Sequence, residues 1–371
     1  MVLVLFFGLV SAARMSAQSV VDNEENLVLA RISAPSLAGN LLGVPAEQRI
    51  AVCLPPSYKV SDKRFPAVYF LAGFGDEAAF YTNGMYQGLK IHQAIKELSE
   101  SKIIGEMIVV IIPGTNFLGG SFFANSEVGG NWEDFVVKDV ISYVDANFKT
   151  IAQPQSRGIA GYWTGGSGAI SIGTKHPDLF SSVYALSPGL FDKNGLTNSQ
   201  MFSEPQITEK YLKCEKENAA LEKGKAHERL ITFCDNTRDI DLIFTLAYGI
   251  AFSPNAKKNA PYIDFPYSKS FSKGNLNKEI WKRWENGFGN WDEKVKAFKD
   301  NFLKLKSIGI DYGLKNEYKW MIEGCKYFTK ILTAEKIPVK SVSFDGGQSD
   351  KLRERIEKFM FPFFSALFES K

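Results

Sequence analysis

Arg157-Gly158-Ile159-Ala160-Gly161-Tyr162-Trp163-Thr164-Gly165-Gly166-Ser167-Gly168 is the stretch that decides the fold. Arg157 to Gly161 reads as a strand, and Gly165 to His176 reads as a helix of small residues. Gly161 to Gly166 therefore lies at a strand-to-helix turn. A pair of glycines framing such a turn lets the chain reverse tightly. The central residue is then held in a strained conformation above the strand end, with its side chain aimed into a cleft. Here that central residue is Trp163.

Working outward, strands and helices alternate on both sides. Arg49 to Leu54 reads as a strand closed by Pro55-Pro56. Phe65 to Leu71 reads as a buried strand ending at Gly73. Met107 to Pro113 is a continuous apolar run rich in β-branched residues, the pattern of a strand covered on both faces. Tyr86 to Ser99 has helical spacing. Trp132 to Phe148 is amphipathic, with Phe135, Val136, Val140, Tyr143 and Val144 facing inward. Ser182 to Ser187 is a further strand. After Leu190 the rhythm breaks, and Asp192 to about Phe302 reads as an insertion or cap. The pattern then resumes with a strand ending at Gly309 to Gly313, a helix over Tyr318 to Ala334 and a last strand over Val339 to Phe344. A C-terminal helix from about Asp350 to Ser365 follows, with Pro362 marking a kink or break. The succession implies an α/β fold: a mostly parallel central sheet, helices on both faces and an inserted cap-like segment.

The bulk properties narrow the function classes. With 371 residues, 45% of them hydrophobic, the chain can bury one large core or two modest ones. A formal net charge of +3 gives no reason to expect nucleic acid as a partner, and Lys223, Lys225 and Arg229 are interleaved with acids. Val2 to Val10 is an apolar run of signal-peptide length, followed by Ser11, Ala12 and Ala13 and then by Ser16 and Ala17. It is too short to span a bilayer comfortably, so residues 1–17 are expected to be a cleaved leader that exports the protein to the periplasm or the medium. Residues 18–47 read as an N-terminal extension, and 48–371 as the α/β domain with its insertion. No later stretch is long and apolar enough for a membrane span. Among the cysteines, Cys214 and Cys234 could close a loop within the insertion in an oxidising compartment, whereas Cys53 and Cys325 are equally well read as buried thiols. Their spacing suggests no metal site, and nothing in the pattern requires a cofactor.

The residues around the turn carry a family resemblance. Arg157-Gly158-Ile159-Ala160-Gly161 leads in, Gly165-Gly166-Ser167-Gly168-Ala169 follows, and His176-Pro177-Asp178-Leu179-Phe180 and Ala185-Leu186-Ser187-Pro188 come after. Gly130-Asn131-Trp132-Glu133-Asp134-Phe135 with Asn125-Ser126, Ala251-Phe252-Ser253-Pro254-Asn255, and Phe344-Asp345-Gly346-Gly347-Gln348 add support. Together they resemble the putative-esterase family of α/β-hydrolases, the group that includes esterase D, the enterochelin esterases and the antigen 85 mycolyltransferases. The resemblance runs from about Gln48 to the C-terminus. It implies a carboxylic-ester hydrolase or acyltransferase fold with a Ser-His-acid triad.

The chain departs from that pattern at all three stations. Where the family has its nucleophilic Ser, this chain has Trp163. Where a G-x-x-D acid follows the penultimate strand, it has Gly313-Leu314-Lys315-Asn316, with Glu317 adjacent. Where G-G-H follows the last strand, it has Gly346-Gly347-Gln348. An indole has no nucleophilic oxygen or sulfur. The amide of Gln348 takes no proton near neutral pH. Asn316 would find no imidazolium to stabilise. The expectation is a catalytically silent relative of the esterases.

An oxyanion hole depends on backbone amides rather than side chains. By resemblance, its donors are the amide of Thr164 and the loop around Ala72-Gly73-Phe74, with Asn125, Ser126 and Trp132 as further cleft candidates. Such a cleft would take a small molecule, a sugar or an acyl group, with Trp163 either filling its floor or offering a stacking surface. Two other readings stay open. Thr164 or Ser167 serves as a rearranged nucleophile, or the insertion contacts a protein partner through Tyr262 to Tyr267 and Trp281 to Trp291. His176 and His92 read as structural. Asp345 and Asp350, flanking Gln348, read as turn and helix-cap residues.

Overall fold

A computed structural model describes residues 19–20, 26–237, 239–270 and 273–369. The expected leader lies outside the described residues. The strands are β1 (Ser19–Val20), β2 (Leu27–Ser33), β3 (Glu47–Cys53), β4 (Ala67–Leu71), β5 (Ile108–Ile112), β6 (Asn125–Ser126), β7 (Gly130–Asn131), β8 (Arg157–Tyr162), β9 (Ser182–Leu186), β10 (Ser307–Gly313) and β11 (Val339–Phe344). Nine of them form one sheet in the order β1-β2-β3-β5-β4-β8-β9-β10-β11, while β6 and β7 pair as a small separate ribbon. From β5 to β11 every neighbouring pair in the sheet is parallel. β3 runs antiparallel to β5, and β1 and β2 extend that antiparallel edge. β2 lies within the stretch read as an extension, and it pairs with β3 along its whole length.

The fold follows from the pattern of apolar residues. Every residue of β4, β5, β8 and β9 is buried, as expected for central parallel strands covered on both faces. Alternate side chains divide between two cores. Ala67, Tyr69 and Leu71 pack with Phe135, Ile172 and Phe328, whereas Val68 and Phe70 pack with Ile95, Met360 and Phe364. The helices before the insertion are α1 (Ile91–Glu100), α2 (Trp132–Asp134) running through a π-helical turn into α3 (Ile141–Asn147), and α4 (Thr164–Lys175). The insertion forms α5 (Gly195–Asn198), α6 (Gln200–Ser203), α7 (Pro205–Ala219), α8 (Lys223–Asn236), α9 (Ile240–Phe252), α10 (Lys278–Phe288), α11 (Trp291–Ala297) and α12 (Lys299–Lys304). The domain closes with α13 (Lys319–Ala334), α14 (Leu352–Arg355) and α15 (Phe361–Glu369).

The insertion has its own aromatic core. Tyr262, Phe265, Tyr267 and Trp284 are buried in it, and Trp281 is partly buried against it. All four cysteines are free and buried.

Two elements differ from the sequence reading. The helix expected over Tyr86 to Ser99 begins only at Ile91, because Gln87 and Gly88 both take positive φ and form a turn first. Pro362 does not break the last helix. It sits in the first turn of α15, after a π-helical stretch over Ile356–Met360, and the Phe361 amide bonds to the Ile356 carbonyl. The wider turn accommodates a residue that has no N–H to donate.

Candidate functional site

β8 ends at Tyr162, and Trp163 turns the chain into α4 with φ 52° and ψ −113°. This is a sparsely populated conformation that costs a side-chain-bearing residue about 1–3 kcal/mol. Trp163 N–H donates to the Leu186 carbonyl at the end of β9, and the Ser167 amide returns to the Trp163 carbonyl. The framing glycines are sterically required. A Cβ on Gly161 would lie 2.2 Å from the Gly165 carbonyl oxygen, and one on Gly165 would lie 2.1 Å from that of Leu71. The elbow geometry is intact around an indole.

That indole is held in a stack of rings. Phe244 of α9 lies parallel to it at 5.7 Å between centroids, and Tyr318 lies parallel at 6.4 Å. Phe74 meets it edge-on at 5.6 Å and also contacts Phe244. Three aromatic contacts, at about 0.5–1.5 kcal/mol each beyond area burial, are enough to offset the backbone strain. One cost remains, because the Trp163 Nε1–H is buried without an acceptor among the described residues. The elbow side chain therefore joins the insertion, the loop after β4 and the approach to α13.

Asn316 and Gln348, the residues expected at the other two triad stations, sit in the loops beyond β10 and β11, at the same end of the sheet as the elbow. Asn316 is buried; its carbonyl oxygen accepts from the Tyr318 amide at 2.9 Å, which seats the ring that stacks on Trp163. Gln348 is buried, its side chain within reach of the Tyr162 hydroxyl, and its amide donates to Glu317 at 3.3 Å. The Gln348 carbonyl accepts from Arg355 at 2.9 Å and from the Ser187 hydroxyl at 3.3 Å. Glu317 itself is exposed and holds the turn from outside. Asp345 pairs with Lys315 on the surface, and Asp350 accepts the Gly347 amide at 2.7 Å.

Sequence reasoning missed two groups beneath this site. Asp311 and Arg355, each 1% exposed, form an ion pair between β10 and α14. Asp311 also accepts from the Ser187 amide at 3.2 Å, and Arg355 donates to the Ser187 hydroxyl at 2.8 Å. The pair pins the ends of β9, β10 and the Gln348 loop together. The second group is Asp76, buried beside the loop after β4. It accepts from the hydroxyls of Tyr81 and Tyr86 and from the Gly73 amide. Burial raises its pKa against the opposing pull of these hydrogen bonds. The sequence signal for Asp76 was its place in Gly73-Phe74-Gly75-Asp76. Nothing local marks the other pair, whose members are 44 residues apart.

The oxyanion candidates divide. The Gly73 amide is taken by Asp76 and Tyr81, each at 3.2 Å, so it is not a free donor. Phe74 remains, with its ring lying over the elbow. Thr164 opens α4, where the first amides of a helix have no intrahelical acceptor. Three other cleft candidates lie elsewhere. Trp132 is 1% exposed, and its Nε1–H donates to the Gly129 carbonyl at 3.0 Å, so it is a core residue. The Ser126 hydroxyl donates to the Ile250 carbonyl at 2.6 Å and ties the β6–β7 ribbon to α9. Asn125 exchanges hydrogen bonds with Asp134 at the start of α2.

Among the described residues, no base is hydrogen-bonded to Ser167 or Thr164. The Ser167 hydroxyl donates to the Gly189 carbonyl at 2.7 Å, and Thr164 is buried at the helix start. His176, past the end of α4, bonds Glu133 at 3.0 Å; burial works against the charge of Glu133, but His176 and Lys175 win and hold its pKa low. His92 is buried on α1. No cluster of metal-ligating side chains occurs among the described residues.

A mostly parallel sheet with an elbow at the end of a central strand, and two further loops converging beside it, defines an α/β-hydrolase fold. Solved structures agree. A ferulic acid esterase superposes with a TM-score of 0.57 over 95% of this chain and 99% of its own, at 18% identity. An S-formylglutathione hydrolase from Agrobacterium tumefaciens gives 0.54 over 94% and 99%, at 14% identity. A sequence model described as putative esterase matches residues 44–297, and the chain belongs to that family. An esterase of Mycobacterium tuberculosis is 26% identical over 186 residues, which are 49% of this chain and 36% of that protein. The match thus spans about a third of that curated relative's length.

Proposed function

We propose that this protein is a catalytically silent member of the esterase family, which keeps the hydrolase frame without its chemistry. The observation that carries the reading is the elbow side chain, an indole stacked between Phe244 and Tyr318 where an esterase needs a nucleophile. Trp163, Asn316 and Gln348 supply no nucleophile, acid or base. In a protease example, removing the triad as a unit lowers turnover by about a million-fold. Export by residues 1–17 belongs to the same reading and would place the protein outside the cytoplasm.

The test is hydrolysis of p-nitrophenyl acetate by the purified protein, together with labelling by a fluorophosphonate. Expected are a rate at the buffer background and no adduct. A triple variant, Trp163→Ser with Asn316→Asp and Gln348→His, should gain an adduct at position 163. Turnover by the wild type, with an adduct mapped to Thr164 or Ser167, would overturn the proposal in favour of a rearranged active site.

A further inference from the structure

Along one flank of α4 lies a recess of about 410 Å³ that the elbow does not use. Gly168, Ser171 and Lys175 form one wall, at the three- and four-residue spacing that keeps side chains on one helix face. Phe123, Phe252 and Phe288 give the recess an apolar side. Its charged lining is unbalanced: three cations, Lys175, Arg283 and Lys294, face a single acid, Glu133.

The acids nearby are already engaged. Glu133 binds both Lys175 and His176, and Asp264 takes Arg283 at 2.7 Å. Lys294 is different, since no carboxylate among the described residues pairs with it. Its ammonium donates to the carbonyls of Asn286 and Gly287 and lies 4.5 Å from the centroid of the Trp291 ring. An ammonium has three N–H donors, so one is left over. The side chain is half-buried. That desolvation, reinforced by Lys175, pulls its pKa down to about 7. A desolvated cation beside a cavity is stabilised by an anion placed against it.

We propose that this recess binds a small organic anion, an oxyanion head on a compact apolar body. Lys294 takes the head directly, and the phenylalanine side receives the body. The recess also takes in Asn125 and Ser167, and binding there does not depend on whether Trp163 leaves the elbow silent.

Calorimetric titration of the whole protein with benzoate tests this, with benzamide, acetate and inorganic phosphate as comparisons. Benzoate should bind, with benzamide, acetate and phosphate each at least tenfold weaker. Lys294→Met should weaken benzoate at least tenfold. Ser171→Phe, which fills the recess and leaves Lys294 in place, should abolish it. An unchanged circular dichroism spectrum would show that both variants fold. No heat with benzoate, or undiminished affinity in both folded variants, would overturn the proposal. Equal binding of benzoate and acetate, or of benzoate and phosphate, would overturn the apolar-body part of it.

Discussion

At the scale of single residues, the elbow glycines are fixed by contact distance. Gly165→Ala would drive a methyl group into the Leu71 carbonyl, with the Ala72 carbonyl oxygen at 2.5 Å as well, so the start of α4 and the end of β4 would have to part. Its cost should exceed about 3 kcal/mol, in the range of severe core disruption. Gly224, near the start of α8, meets nothing within 4 Å. Gly224→Ala should instead stabilise by about 0.5–1 kcal/mol through helix propensity. Urea midpoints of the two variants check both signs. Lys294 sets a pH dependence. Its pKa is about 7 in the folded chain, against 10.5 for a free lysine, so the unfolded chain binds more protons between those values. Stability from this group is therefore lowest below the folded pKa and rises with pH across the window. Going from about pH 7.5 to about pH 9.5, the urea midpoint of the wild type should gain on that of Lys294→Met; a constant difference would contradict the assignment.

At the scale of elements, the ion pair between β10 and α14 is the clearest point of leverage. Arg355→Met would leave Asp311 charged and buried, an arrangement that typically costs about 3–5 kcal/mol. Adding Asp311→Asn should recover much of that loss in a urea titration, because the stranded charge goes with it. The central strands were legible in the sequence because continuous apolar runs such as Met107 to Pro113 have few other uses. The elbow was legible because its glycines and the strand before it are adjacent in the chain. Asp311 and Arg355 were not, since partnership across 44 residues leaves no local pattern. Trp132 misled because an aromatic residue in a family motif can serve the core as readily as a cleft. The start of α1 and the passage of Pro362 turned on a left-handed turn and a π-helical stretch, backbone details that side-chain periodicity does not encode.

At the scale of the whole molecule, the insertion and the sheet domain keep separate apolar cores, and Trp163 is one of the side chains that joins them. Phe244 is the insertion's contribution to that junction. Phe244→Ala should cost about 3–5 kcal/mol as a large-to-small core change. It should also loosen the insertion from the sheet, so that limited proteolysis cuts between 192 and 302 faster than in the wild type while the sheet domain stays resistant. Equal cleavage rates would mean that other contacts carry the junction. The break in the strand-helix rhythm after Leu190 was visible in the sequence, but not that helix α9 reaches the elbow.

The same stack makes the elbow an optical reporter. Three rings fixed in an asymmetric array, two of them nearly parallel to the indole, should give a near-ultraviolet dichroism contribution, read as the difference between the wild type and Trp163→Phe. Light absorbed by Tyr318 should pass to the neighbouring indole and emerge as tryptophan fluorescence. Opening of the junction would then be followed without a label, as the difference in emission between the wild type and Trp163→Phe, in which the other five tryptophans cancel.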